Sequence, residues 1–375
     1  AQAIVEGLTL GTYTFSKHKS EETRNKEKHI EEVSILTTPP KLNAVVAGIS
    51  RGETVSQAVM FARDLVNEPP SFTTPTHLAD VAGKLVKGHA NMSCEVFGPK
   101  EMKTLGMEAI LGIARGSDEE PRFIHLSYKG GGGKTVCLVG KGITFDTGGL
   151  SLKDSKNMET MKLDMAGAAA ILGVFSVLPI LKPNINVVGL IAATENMPGP
   201  KAIKPGDVVA AMNGKTIEIL NTDAEGRVVL ADALSYAGAK VKSDAIVDLA
   251  TLTGACMVAL GEEIAGMFTD DVTLAEELER AATDSGEHIW SMPLARQYKE
   301  LVKSDVADVK NISGTKYGGA INGALFLAEF APLSVPWAHL DIAGPAFAEK
   351  DAPLTPKGGT GFGVRMLLQW LLQEK

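Results

Sequence analysis

Beyond about residue 130 the chain alternates between two hydrophobic spacings. Short, almost continuous apolar runs at Thr135–Val139, Asn186–Ala193, Thr216–Leu220, Ala245–Leu249 and Trp337–Ile342 read as strands. Between and after them apolar residues return every three or four positions. That spacing predicts helices near Met158–Leu178, Arg227–Gly238, Leu274–Thr283 and Gly323–Glu329, and a last one from about Gly363 to Gln373. Strands that are apolar throughout are covered on both faces, and strand–helix alternation produces parallel neighbours. The expectation is an α/β fold: a mostly parallel central sheet flanked by helices on both faces.

The first fifty residues read differently. Ala1–Tyr13 has the spacing of a helix already under way, which predicts a truncated or processed start. A charged stretch from Lys17 to Lys28 follows, then strand-like pieces at Glu32–Leu36 and Ala44–Ile49. From Glu53 to Leu65 the pattern is helical, and Asn67-Glu-Pro-Pro stops it, because the residue before a proline avoids the helical region. The expected boundary lies at residues 50–55, dividing residues 1–52 from a main domain of 53–375.

Composition narrows the class. Of 375 residues, 45% are hydrophobic and 22% charged, enough for a sizeable core. A net charge of -8 argues against a surface for phosphate backbones or anionic lipid, so neither nucleic acid nor a membrane is an expected partner. Three scattered cysteines, an odd number, exclude a disulfide framework and fit a reducing compartment. No basic-then-apolar leader and no run of about 18 apolar residues is visible, which makes the cytoplasm the expected location. The two N-x-[ST] sequons, at Asn91 and Asn311, read as chance.

In parallel α/β folds chemistry gathers beyond the carboxyl ends of the strands. After the first strand comes Lys141-Gly-Ile-Thr-Phe-Asp146-Thr-Gly-Gly-Leu-Ser-Leu-Lys153, and after the third Asn221-Thr-Asp223-Ala-Glu225-Gly-Arg227. Both loops are expected to open onto one edge of the sheet. The intervening helix carries Met161 and Asp164 on one face, three positions apart. Asp146, Asp164, Asp223 and Glu225 can therefore meet, with Lys141, Lys153 and Arg227 around them. Four carboxylates in one pocket would repel one another into protonation unless cations intervene. Two divalent metals solve this better than three basic side chains, and bridging carboxylates suit a metal pair. With no histidine in the pattern, an oxygen-rich site accepts Mn²⁺, Zn²⁺ or Mg²⁺.

Each piece has an ordinary reading alone. Asp-Ala-Glu before a helix is commonly a cap with a favourable dipole charge. Asp164 can be a surface carboxylate, Met161 core, and the lysines solvated. These readings fail because all must hold at once, at one edge. Gly130-Gly-Gly-Gly-Lys-Thr135 imitates a phosphate loop, but Tyr128 stands where the pattern needs glycine and the segment precedes its strand, so it reads as a turn. A two-metal phosphoesterase is the rival enzyme class, since the same metals serve phosphoryl transfer.

Asn221-Thr-Asp-Ala-Glu-Gly-Arg227 resembles the signature heptapeptide of the leucine aminopeptidase (cytosol aminopeptidase) family. The segments Lys141–Lys153 and Met161–Gly167 resemble that family's other two site segments in order and spacing. The similarity runs from about Ile49 to the C-terminus, with Val228 where leucine usually follows the signature arginine. Residues 1–52 then resemble the end of a separate α/β N-terminal domain plus a connector. The resemblance implies a metal-dependent aminopeptidase acting on peptides with leucine-like N-terminal residues, assembled as a homohexamer. It implies that Asp146 and Glu225 bridge two metals, that Lys141 and Asp164 complete the tighter site, and that Asp223 completes the more exchangeable one. Lys153 would polarise the scissile carbonyl and Arg227 would hold a bicarbonate that shuttles protons. Asn221, Met161 and the Thr251-Leu252-Thr253-Gly254 loop would bind substrate.

Overall fold

The computed structural model describes residues 1–26 and 30–373, so the last two residues of the charged stretch, 27 and 28, lie outside it. Its centre is an eight-stranded sheet. The strands are β1 (Met92–Phe97), β2 (Arg122–Tyr128), β3 (Thr135–Asp146), β4 (Asn186–Asn196), β7 (Ala245–Ala250), β8 (Ile264–Phe268), β9 (His288–Ser291) and β11 (Trp337–Asp341). Three more, β5 (Val208–Ala210), β6 (Thr216–Glu218) and β10 (Val309–Lys310), form a small separate sheet, and β12 (Phe347–Ala348) pairs with β13 (Gly358–Gly359).

The main order is β1-β2-β4-β3-β7-β11-β8-β9. The four central strands β4, β3, β7 and β11 run parallel, while β1, β2 and the β11–β8 pair supply antiparallel edges. The middle strands are buried along almost their whole length, β3 from Val136 through Thr144, as continuous apolar runs require. One face packs on the Leu42–Asn67, Ala166–Leu181, Val272–Ser285 and Val364–Gln373 helices. The other packs on the Glu225–Lys240 and Gly319–Ala328 helices and the small sheet. After β3 the chain goes one way to β4 and later the other way to β7, so the order reverses at β3/β7. Such switch points leave a crevice at the strands' carboxyl ends.

Several expectations need correction. Ala44–Ile49 is not a strand but part of one 26-residue helix, Leu42–Asn67. The helix packs on Gln2–Gly11 through its glycines, and that packing overrides local propensity; a Cβ on Gly48 would lie 3.2 Å from Ala1 Cβ, and one on Gly52 2.9 Å from Val5 Cβ. Residues 50–55, where the boundary is expected with the following helix as connector, lie within Leu42–Asn67. Glu32–Leu36 is irregular and largely exposed. Thr216–Leu220 yields a short strand, β6, in the small sheet and not in the central one. The stretch Met161–Leu181 has the length and hydropathy (1.9) to cross a membrane, against the expectation of no such run, but 78% of its most apolar window is buried. It is a core helix held against the Leu42–Asn67 helix, where a Cβ on Gly173 would lie 2.8 Å from the Ala58 carbonyl oxygen.

Candidate metal centre

The site begins where β3 outruns β7. Their pairing ends at Gly140↔Leu249, and Lys141 is the next residue, 3% exposed. β3 continues beside β4 to Asp146, with an irregularity between Ile143 and Asp146. Gly148 (φ +84°) and Gly149 (φ +63°) then turn the chain in the left-handed region, where a side chain would also strike Asp223 and Asn196. Asp164 lies in a 3₁₀ turn, Met161–Met165, ahead of the Ala166–Leu181 helix. In that geometry residues three apart eclipse, so Met161 and Asp164 do share a face, though not by α-helical spacing. Glu225 opens the Glu225–Lys240 helix; Ala224 precedes it without a side-chain cap, so Asp223 is not a cap. The adjacent Gly226 is required by packing, since a Cβ there would lie 2.4 Å from Lys141 Cε.

Each lysine spans two carboxylates. Lys141 Nζ lies 2.7 Å from Asp164 Oδ1 and 2.9 Å from Glu225 Oε1, and donates to the Thr251 carbonyl at 2.7 Å. Lys153 Nζ lies 2.8 Å from Asp146 Oδ2 and 2.5 Å from Asp223 Oδ1. Asp146 Oδ1 accepts from Gly148 N–H at 2.8 Å and Asn196 Nδ2 at 2.7 Å, while the Thr251 hydroxyl donates to Asp164 Oδ1 at 2.7 Å. Two buried oxygens, Asp164 Oδ2 and Glu225 Oε2, have no hydrogen-bond partner. One ligand atom each from Asp146, Asp164 and Glu225 lie within 4.8 Å of one another.

The charges do not balance. Four carboxylates share two ammonium groups in direct contact. Burial, with repulsion from neighbouring carboxylates added, pushes Asp146 and Asp223 above the usual carboxylate range and Asp164 well above it. Burial alone would lower both lysines, but the carboxylates around them dominate and raise Lys141 and Lys153 above their ordinary value. A buried cluster with excess negative charge and orphaned oxygens fits divalent cations. The donors, carboxylates plus one amine, suit ions that take oxygen and nitrogen.

Arg227 is buried one turn into its helix, and burial lowers its pKa. Nη1 donates to the Asn311 carbonyl at 2.9 Å, while Nε has no partner. That orphaned donor fits a small oxyanion. Asn221 uses its side-chain oxygen to accept from Asp223 N–H at 2.8 Å, shaping the turn that presents Asp223. Thr251 and Thr253 are buried, Leu252 and Met161 half-buried, and Gly254, which starts the Gly254–Leu260 helix, is exposed. The two site loops meet although their strands belong to different sheets. The Thr222 hydroxyl donates to the Gly148 carbonyl at 2.6 Å and accepts from Ser151 N–H at 2.7 Å.

Sequence reasoning missed the groups that hold these side chains. Asn196 ends β4 and orients Asp146. Asn311 was legible only as a glycosylation sequon, yet it is fully buried and donates Nδ2 to the Asn221 carbonyl at 2.6 Å. No local signal marked it, since the preceding Asp308-Val309-Lys310 is not an apolar run.

The catalytic-domain profile of the cytosol aminopeptidase family matches residues 60–368. A probable cytosol aminopeptidase of Synechococcus sp. (strain JA-3-3Ab) is 49% identical over 383 residues, covering 100% of this chain and 74% of that protein. One from Aquifex aeolicus (strain VF5) is 47% identical over 375 residues, covering 99% and 74%. Among solved structures, the bottromycin maturation enzyme BotP superposes with a TM-score of 0.89 at 40% identity, covering 99% of this chain and 78% of its own. The same enzyme in complex with Mn gives 0.90.

Proposed function

The chain belongs to the cytosol aminopeptidase family, and from that premise we propose that it removes leucine-like apolar residues from the N-termini of peptides at the cluster running from Lys141 to Arg227. The observation that carries this reading is the pair of buried, partnerless carboxylate oxygens on Asp164 and Glu225, set among ligand atoms within 4.8 Å of one another. Asp146 and Glu225 would bridge two divalent ions, Lys141 and Asp164 would complete the tighter site, and Asp223, with its backbone carbonyl, the more exchangeable one. The Mn complex of BotP favours Mn²⁺, with Zn²⁺ or Mg²⁺ as the alternatives. Bound there, the ions would supply Lewis acidity and lower the pKa of water at the site.

The chain's own residues do the rest. An ammonium group has donors and no acceptor, so Lys141 can ligate only as the neutral amine; without metal it stays protonated between Asp164 and Glu225. Lys153 stays charged beside Asp146 and Asp223 and offers a proton to the scissile carbonyl oxygen as negative charge develops there. Arg227 presents its free Nε to a bicarbonate, a group suited to carrying protons to the leaving amine. Met161, Leu252 and the flanking Thr251, Thr253 and Gly254 shape an apolar pocket for the first side chain, while Asn221 sets the Asp223 turn. The working form in this reading is a cytoplasmic homohexamer with peptides as substrates.

Prolonged chelation should abolish hydrolysis of leucyl-p-nitroanilide, and Mn²⁺ should restore it. N-acetylation of the substrate should prevent turnover. Full activity in exhaustively demetallated protein, or comparable cleavage of the acetylated substrate, would overturn the proposal.

A further inference from the structure

The last residue of β11, Asp341, lies beside the last residue of β7, Ala250, in a parallel register. β7 runs directly into Thr251–Gly254. That short loop is fastened at both ends. At its start, Thr251 is tied to Lys141 and Asp164 through its carbonyl and hydroxyl, each at 2.7 Å. At its end it is tied to Asp341. Asp341 Oδ1 accepts from the N–H groups of Leu252 (3.2 Å), Thr253 (3.4 Å) and Ala343 (3.2 Å), and Oδ2 accepts from the Thr253 hydroxyl at 2.6 Å. The same hydroxyl oxygen accepts from Cys256 N–H at 3.1 Å, capping the helix that follows.

Asp341 is 0% exposed, so it cannot meet a substrate. Among the described residues no ion pair reaches it within 4.0 Å; its direct hydrogen bonds come from neutral donors, and Arg227 and His339 act on it only from farther away. A buried carboxyl group both of whose oxygens accept from the Leu252–Thr253 segment is better explained by geometry than by stability. From the opposite side the Gly319–Ala328 helix closes in, with Gly323 so near that a Cβ would lie 3.2 Å from both Leu252 Cδ2 and Thr253 Cγ2. Leu252 is thus suspended between an anchor on the metal donors and an anchor on Asp341.

We propose that Asp341 is a positioning residue that fixes the Leu252–Thr253 segment relative to the metal donors, and thereby sets which N-terminal side chains the enzyme accepts. The proposal rests on the reading above that this loop lines the pocket. If Asp341 lets go, the metal end of the loop stays tied through Thr251 while the pocket end relaxes. Large apolar side chains then lose their fit, and small ones, which barely touch the pocket, do not.

The test uses the metal-loaded enzyme with leucyl- and alanyl-p-nitroanilide. Asp341→Asn keeps an acceptor for the N–H groups but presents an amide where the Thr253 hydroxyl needs an oxygen. Bound metal and kcat on the alanyl substrate should be retained. KM for the leucyl substrate should rise and the leucyl-to-alanyl ratio of kcat/KM should fall by about tenfold or more, the scale on which pocket contacts discriminate. An unchanged ratio, or an equal loss of kcat on both substrates, would overturn the proposal. Should Asp341→Asn fail to fold, Thr253→Val and Thr253→Ser decide: valine should collapse the ratio and serine preserve it, and like behaviour of the two contradicts the role. Leu252→Ala separates the premise. If it leaves the ratio unchanged, the pocket reading falls and takes the proposal with it. If it shifts the ratio while Asp341→Asn does not, the pocket stands and the role of Asp341 falls.

Discussion

The two halves of the metal centre are built from different material. The inner half, Lys141, Asp164 and Glu225, comes from a central strand just past its pairing with β7, a 3₁₀ turn and the first turn of a helix. Its side chains are 4%, 5% and 2% exposed. The outer half, Lys153 and Asp223, comes from two loops and is 14% and 33% exposed. Close packing fixes the inner half: Gly226 and Gly167 have no room for a side chain against Lys141 and Leu249. The outer half is held by polar ties through Thr222, Ser151, Gly148, Thr147 and Asn221 around two left-handed glycines. Under the proposed roles, the donors that would hold an ion tightly sit on rigid elements, and the groups that would meet changing substrates sit on loops that can yield.

The strongest test of this contrast replaces one lysine from each half. Lys153→Ala should retain both metals and lose about 10²–10³ in kcat at any metal concentration, the usual cost of one electrophilic donor. Lys141→Ala should instead weaken metal binding, with activity partly recovered at high Mn²⁺. Metal titrations monitored by activity distinguish them, and rescue of Lys153→Ala by metal would reverse the two roles. Gly226→Ala probes the packing of the inner half. Forcing a methyl group onto Lys141 should cost about 1–3 kcal/mol, read as a lower melting temperature together with weaker metal retention. A variant that binds metal normally would mean that Lys141 moves aside freely. The smallest effect is expected from Ser151→Ala in the outer half. It removes an acceptor 3.1 Å from Thr222 N–H and should cost about 0.5–1.5 kcal/mol, with metal content unchanged. Loss of metal in that variant would show the halves to be one rigid unit.

The inner half was also the more legible from sequence. Apolar runs marked β3 and β7 as strands and placed Lys141 just beyond the first of them, while Thr251 was reached only through the family resemblance; their adjacency is seen in the pairing of the two strands. The loops were legible as composition but not as topology. The signature loop leaves β6 of the small sheet, and its meeting with the Gly148 loop depends on hydrogen bonds that leave no periodicity in the sequence. The N-terminal strands at 32–36 and 44–49 misled for the opposite reason. Their β-branched residues carry a local preference that packing overrides at 44–49, and 32–36 stays irregular. Asn196, Asn311 and Asp341 were invisible as site residues because each acts on a neighbour distant in the chain.

The proposed inner donors come from three stretches of chain: β3 just past its pairing with β7, the 3₁₀ turn and the start of the Glu225–Lys240 helix. No fragment of the fold owns them all, so a partly unfolded chain has nothing with which to grip a metal pair. With that proposed ligand set, mass action would make the ions a reporter of global integrity. At a free concentration about a hundredfold above the dissociation constant, one ion that binds only the native state adds about 2.7 kcal/mol to its stability. Starvation for metal would thus act twice, silencing the enzyme and exposing its chain to the proteases of the cell.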